Sequence, residues 1–302
     1  MPRIRAAVVG LAAICVPAAL GVTTGCTGSA STGTGAQLRV VAAENFYGNL
    51  IKQVGGDRVH VTSVISDPGA DPHLFATGTA NALAVAKARV VVVNGAGYDS
   101  WMDRLINASP KSDRQVVTVA DVLGVTGSNP NPHLWYDAPR MSRVVEAIGQ
   151  ALETADPPHQ NDYRDGVRRT VAALQPLLTA VADLRARFAR TPVAYTERVA
   201  GYLLDAAGLD VRTPPAFSNA IEEATDPPPS ATQAMEQLLR THGIRVLLYN
   251  EQAVSALTKR LQRLANQNRI PIVGVTETLP AGLSFQEWQL RQVQQLRAAL
   301  ER

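Results

Sequence analysis

The stretch LRVVAAENFYGNLIKQVGGDRVHVTSVI, Leu38 to Ile65, decides the fold. LRVVAA is a short apolar run that ends at the polar pair Glu44-Asn45, FYGNLIKQVGG is a helix closed by Gly55-Gly56, and VHVTSVI alternates into a second strand. That strand stops at SDPGADPH, and the pattern then repeats. TANALAVAKA is Ala-rich and helical, RVVVVNGAG is a buried strand breaking at Gly95, WMDRLINAS is a helix and QVVTVAD a strand. An Asn/Pro-rich loop, GSNPNPHLWYD, follows. Strands that alternate with helices imply a mostly parallel sheet flanked by helices. Residues 38–158 are therefore expected to form one α/β lobe.

From His159 to about Arg187 the apolar residues Val167, Val171, Leu174, Leu178, Val181, Leu184 and Phe188 recur at helical spacing. At about 1.5 Å per residue, one helix here would reach roughly 40 Å, more than a single small lobe needs. Pro176 lies inside it, removes a backbone donor and should kink it or force a local break. Beyond it the alternation resumes. PVAYTE, IRVLLYNE and PIVGVTETL read as strands, and VAGYLLDAAG, ATQAMEQLLRTHG, VSALTKRLQRLANQN and WQLRQVQQLRAALER as helices. The expected architecture is α/β, with two lobes, each a mostly parallel sheet flanked by helices, joined by one long connecting helix at 159–190. The second lobe occupies 191–302.

The N-terminus reads as an export signal over residues 1–25: Arg3 and Arg5, an apolar run to Val22, then TTGC ending at Cys26. Pro17 and the small residues argue against a membrane span. Cys26 is trailed by TGSASTGTGAQ, a polar tether at 26–37 of the kind that joins a lipid-modified cysteine to a folded domain. Thr23 stands where such lipoprotein boxes more often carry Leu, and simple secretion or a retained anchor are the alternatives. The only other cysteine, Cys15, lies within the signal, so disulfides and thiolate metal sites are excluded from the mature chain. Arg3 and Arg5 leave with the signal, giving 27 basic against 26 acidic residues. The basic residues are scattered among acids, which argues against nucleic acid as a partner.

Two of the five histidines sit in near-identical settings: PHLF at Pro72 to Phe75 and PHLW at Pro132 to Trp135. Both are expected where a strand has ended, the rim at which open α/β sheets gather ligands. The preceding proline restrains the backbone, and the following Leu and aromatic residue should bury, leaving the imidazole facing the cleft. A lone Pro-His is weak evidence, and Pro158-His159, which lacks the Leu-aromatic pair, reads as a structural helix start. In the second lobe Glu197 ends PVAYTE and Glu277 closes PIVGVTET; either alone is explained by a solvated acid at a helix start. Glu222-Glu223, in the linker before DPPPS, and Glu251, after VLLYN, compete on composition.

The ordered set GADPHLF, NGAGYDSWMDRL, NPHLWYD, YTERVAGYL and VTETL, from about Leu38 to the C-terminus, resembles the metal-binding lipoproteins of bacterial ABC importers for zinc and manganese, the cluster A-I or cluster 9 solute-binding proteins. The resemblance implies four metal ligands: His73 from a DPH motif, His133 from DPHxW, Glu197 five residues before Tyr202, and Glu277 in the late TET. Asn131 replaces the usual Asp before the second Pro-His, which keeps the ligand and removes a local charge. GVTGSNPNP contains no histidine, so the His-rich accessory loop of many zinc importers is absent.

Two imidazoles with two carboxylates suit a divalent transition metal, Zn2+ or Mn2+, because the carboxylates cancel its charge. The expected protein is a monomeric extracytoplasmic lipoprotein on the outer face of the bacterial cytoplasmic membrane. It passes one captured ion to an ABC permease and its ATPase. A surface adhesin, a storage lipoprotein and a mononuclear metallohydrolase are the alternatives. The last is disfavoured because neither HExxH nor GxSxG occurs, and all four ligands are committed to the ion.

Overall fold

The computed structural model describes residues 37–67 and 78–302. The signal segment, Cys26 and His73 lie outside the described residues. In the first lobe β1 (Leu38–Glu44), α1 (Asn45–Gly55), β2 (Val59–Ile65), α2 (Thr79–Lys87), β3 (Val90–Val93), α3 (Ser100–Asn107), β4 (Gln115–Thr118), α4 (Val119–Leu123) and α5 (Met141–Ala155) follow in order. The four strands are parallel, in the order β2-β1-β3-β4. The period of two along a strand explains the layering. Val40, Ala42, Val90 and Val92 face the core built with α1 and α5. Val41, Ala43, Val91 and Val93 face Val85, Trp101 and Met102 on the other side. Both faces are covered, which is why VVVV carries no polar residue. VAD of the expected strand QVVTVAD instead starts α4, and α5 was not among the sequence-expected elements.

The connector is helical from Gln160 to Phe188 with one interruption: α6 (Gln160–Ala173) and α7 (Gln175–Phe188) meet at Leu174. Leu174 keeps helical angles, φ −75° and ψ −18°, and its N–H donates to Val171 O instead of one residue further back. The cause is Pro176, which has no N–H to continue the ladder. The two halves serve different lobes. α6 packs on α1 and α5, whereas α7 packs on the last helix of the chain. Gly166 permits the first contact: a Cβ there would lie 1.9 Å from Val54 O of α1.

The second lobe runs β5 (Pro192–Tyr195), α8 (Gly201–Ala206), β6 (Asp210–Val211), α9 (Pro215–Glu222), α10 (Pro229–Arg240), β7 (Val246–Asn250), α11 (Ala256–Gln267), β8 (Ile272–Val275) and α12 (Phe285–Leu300). Its parallel sheet, β6-β5-β7-β8, repeats the strand order of the first. Ser255 and Ser284 open α11 and α12 through reciprocal capping boxes with Thr258 and Glu287. Where a linker is expected before DPPPS, α9 forms, and Glu222 is its last residue. β6, two residues long, was also unassigned.

A single apolar cluster runs through both lobes. Phe46 stacks on Trp135 at 4.4 Å between ring centroids, and Tyr136 meets Trp288 edge-on at 5.9 Å. Polar ties border it: Asn45 and Leu279 exchange two hydrogen bonds of 2.9 Å, Asn49 Oδ1 accepts from Phe285 N, and the amides of Gln53 and Gln286 pair at 2.9 Å. Among the described residues no helix is long and apolar enough to cross a membrane.

Candidate metal centre

Buried polar residues collect where strands end. Glu44 closes β1, Asn94 follows β3, Thr196 and Glu197 follow β5, Asn250 closes β7, and Glu277 lies two residues past β8. This is the ligand rim of parallel α/β sheets, here supplied by both lobes. His133 reaches it less directly than expected, because α4 and the loop 124–132 separate it from β4. Asn94 supplies the anchor, donating through Nδ2 to Pro132 O at 2.8 Å and accepting from Tyr47 OH at 2.7 Å. The turn after Asn94 carries positive φ at Gly95, Ala96 and Gly97 and is held by Asp99, which accepts from the Asn94 and Gly95 N–H groups. Burial outweighs those bonds and raises the Asp99 carboxyl to about 6.

The ring orientation of His133 follows from its neighbours. Asn131 Nδ2 lies 2.9 Å from the carbonyl oxygen of Arg198, which can only accept, so the amide nitrogen faces it. Asn131 Oδ1 is then the atom that meets His133 Nδ1 at 2.7 Å and His133 N at 3.1 Å. An amide oxygen can only accept, so Nδ1 carries a proton, and Nε2 is the ring nitrogen left to meet a metal ion. Leu134 and Trp135 bury completely behind it, as their apolar character implies. Tyr202 OH donates to Asn131 O, and Arg198 reaches both Asn129 O and Oδ1 while forking onto Glu222. The loop before His133 is thus fastened to the second lobe.

Glu197 and Glu277 are fully buried. Glu197 stands at the start of a 3-10 turn, Arg198–Ala200, yet its side chain makes no cap there. Asn250 Nδ2 instead donates to Glu197 Oε2 at 2.5 Å and to Glu277 Oε1 at 2.7 Å. Tyr98 OH donates to Glu277 Oε2 at 3.0 Å. Burial, and then the Glu277 carboxylate, push the Tyr98 phenol well above its ordinary range, which keeps it a donor. Gln252 Oε1 accepts from the Glu277 N–H, and its Nε2 donates to Thr278.

One ligand atom from each of His133, Glu197 and Glu277 lies within 4.8 Å of the others. His133 Nε2 and Glu277 Oε2 are 3.3 Å apart. Two ligands on a tetrahedral zinc with bonds of about 2.0–2.1 Å would be separated by roughly 3.3–3.4 Å. Two acceptor atoms this close are stable with a cation or a proton between them, and two carboxylates with one imidazole offer net negative charge to a divalent ion. Of the competing acids, Glu222 is taken by Arg198 and Glu251 is exposed. His159 pairs with Asp156 at the start of the connector, a structural role. Asn250, Gln252 and Tyr98 escaped notice as site residues; the available signal was Asn250 closing an apolar strand at the same rim.

The chain belongs to the ZnuA family, zinc-uptake complex component A periplasmic, whose model matches residues 40–299. A similar relative is the manganese-binding lipoprotein MntA of Halalkalibacterium halodurans, 31% identical over 166 residues, which are 53% of this chain and 54% of MntA. The manganese ABC transporter substrate-binding lipoprotein PsaA of Streptococcus pneumoniae is 22% identical over 169 residues, 52% of this chain and 54% of PsaA. The chain thus spans about half the length of the curated relatives it matches. The fold resembles that of the periplasmic zinc-binding protein TroA from Treponema pallidum, with a TM-score of 0.76 and 18% identity over 88% of this chain and all of TroA. The SBP FpvC of P. aeruginosa, solved with Ni2+, gives 0.73 and 20% over 88% of this chain and 97% of FpvC.

Proposed function

We propose that this protein is the extracytoplasmic substrate-binding lipoprotein of an ABC importer, that it captures Zn2+ or Mn2+ between its lobes, and that it surrenders the ion to a membrane permease served by an ATPase. The observation that carries this is the convergence of His133 from the first lobe with Glu197 and Glu277 from the second, all buried and within 4.8 Å. His73, from the first Pro-His motif, is the fourth ligand in this reading. Because the ligands are divided, the ion is gripped when both lobes contribute, and separating the loop at 129–133 from Arg198 dismantles the site. The apolar cluster shared by the lobes favours a small rocking motion over wide opening. Cys26 carries the lipid that holds a monomer at the outer face of the cytoplasmic membrane. The protein's task is binding and delivery, not turnover.

The test is purification without added metal, elemental analysis, and calorimetric titration of zinc and manganese into the wild type, His133→Ala and Glu277→Ala. Both variants should lose most of their affinity. Wild-type affinity in both would sink the proposal. Cys26→Ser should release the protein from membranes into the soluble fraction.

A further inference from the structure

Arg198 ties the second lobe to the loop before His133 at two points. Its carbonyl oxygen accepts from Asn131 Nδ2 at 2.9 Å, beside the ligand. Its guanidinium works further out. One edge forks onto Glu222 at the end of α9, Nε to Oε2 at 2.8 Å and Nη2 to Oε1 at 2.7 Å. The other edge faces the first lobe, where Nη1 donates to Asn129 O at 3.3 Å and Nη2 to Asn129 Oδ1 at 3.2 Å. A planar guanidinium fixed along one edge has its remaining N–H directions fixed too, so Glu222 aims Arg198 at Asn129. The pair is 15% and 9% exposed, so water and salt screen it little. A cleft of about 440 Å3 runs along this tie, lined by Asn129 and Pro132 of the first lobe and Arg198 and Glu222 of the second, and it reaches Tyr98, the donor to Glu277. Parting Arg198 from Asn129 widens that cleft towards the ligands.

We propose that Arg198, aimed by Glu222, is a positioning residue that sets how long the ion stays: its side chain latches the loop at 129 to α9, and capture and release both wait for the latch to open. This rests on the metal-binding reading above. None of Arg198, Glu222 and Asn129 is a ligand, so the latch stabilises the closed arrangement equally with and without an ion. Equal stabilisation cancels from the affinity and remains in the barrier to opening. His133 keeps its supports when the latch is cut. Asn94 still holds Pro132 O, and the backbone carbonyl at 198 still holds Asn131 whatever side chain stands there. Lysine cannot replace arginine here, because a compact ammonium does not span both oxygens of Glu222 and both of Asn129.

The experiment is stopped-flow mixing of Zn2+-loaded protein with a fast chelator for release, and of metal-free protein with Zn2+ for capture, beside calorimetric affinity. The variants are Arg198→Gln, Glu222→Gln, Arg198→Lys, and Arg198→Gln combined with Glu222→Gln, which leaves the net charge of the cleft unchanged. Cutting a forked, charge-assisted pair should speed release about 10-fold or more. Capture by the charge-neutral double variant should quicken by a similar factor, so that affinity moves less than either rate. Release from the double variant should match that from Arg198→Gln, because both have lost the same latch. Arg198→Lys should also release faster than wild type. Unchanged release and capture in the double variant would overturn the proposal. So would faster release with unchanged capture, which would make the Arg198 side chain a support of the ligands and not a latch. Arg198→Lys, the mildest change, decides the matter if the double variant fails to fold: release at the wild-type rate would overturn the proposal. Failure of the wild type to bind Zn2+ would overturn the metal-binding reading itself, and is thereby distinguishable from failure of this inference alone.

Discussion

Asn131→Ala is the perturbation that tests how the histidine half of the site is built. The substitution removes three hydrogen bonds: those from His133 Nδ1 and His133 N to Oδ1, at 2.7 and 3.1 Å, and that from Nδ2 to Arg198 O at 2.9 Å. The Nδ1–H would be left in a fully buried ring, at a cost of about 1–3 kcal/mol, and the Arg198 tie contributes about 1 kcal/mol more. Losing the partner that orients a metal-binding imidazole ordinarily lowers affinity 10–100-fold, or about 1.4–2.7 kcal/mol. Asn131→Asp separates the two functions. Its oxygens still receive both His133 bonds, but an acceptor now faces the Arg198 carbonyl, so this one interlobe bond is lost while the ring keeps its tautomer. Zinc titration by calorimetry should show Asn131→Ala reduced 10–100-fold and Asn131→Asp within a few-fold of wild type. Trapping released zinc with a fast chelator should show accelerated release from Asn131→Asp. Wild-type affinity in Asn131→Ala would refute the reasoning, and equal loss in both variants would show that the interlobe tie, not the tautomer, sets affinity.

Glu44 gives a pH test. Neither of its carboxylate oxygens has a hydrogen-bond partner among the described residues, and burial, then Asp99, holds its pKa well above the usual carboxylate range. An acid whose pKa is raised on folding costs stability as pH climbs above its unfolded value, about 4.3, towards the folded one. Glu44→Gln should therefore be more stable than wild type in urea at pH 8, with the gap closing as pH falls to the unfolded value. A gap that is constant between these limits would contradict it. At the connector, Gly166→Ala forces α6 away from Val54 O and should cost about 1–3 kcal/mol in urea unfolding at unchanged slope. A loss below about 0.5 kcal/mol, the range of neutral surface changes, would show that the helices separate freely.

The strand and helix alternation was legible because each buried strand is an unbroken apolar run, and a run such as VVVV has no other home. β6 was not legible because two residues have no period, and α9 was hidden by its opening Pro-Pro, which reads as linker. The chemistry was legible where it used charged or imidazole side chains in motifs. It was not where it used amides. Glu251 drew attention as a carboxylate, yet it is exposed, and its neighbour Asn250, uncharged and unremarkable in composition, enters the site. Asn131 was noticed as a missing charge. In three dimensions the substitution adds a donor, and that donor joins the lobes.

The pairing of Gln53 in α1 with Gln286 in α12 spans 233 residues of chain. At about 5–20 residues per second of synthesis, the first helix waits roughly 10–50 s for the partner that covers it. During that interval the first lobe is made but unfinished, with Phe46 lacking Trp288. The fold therefore imposes a sequence of events in time: part of the apolar face of the first lobe stays open to other proteins until Gln286 and Trp288 emerge, and only then closes.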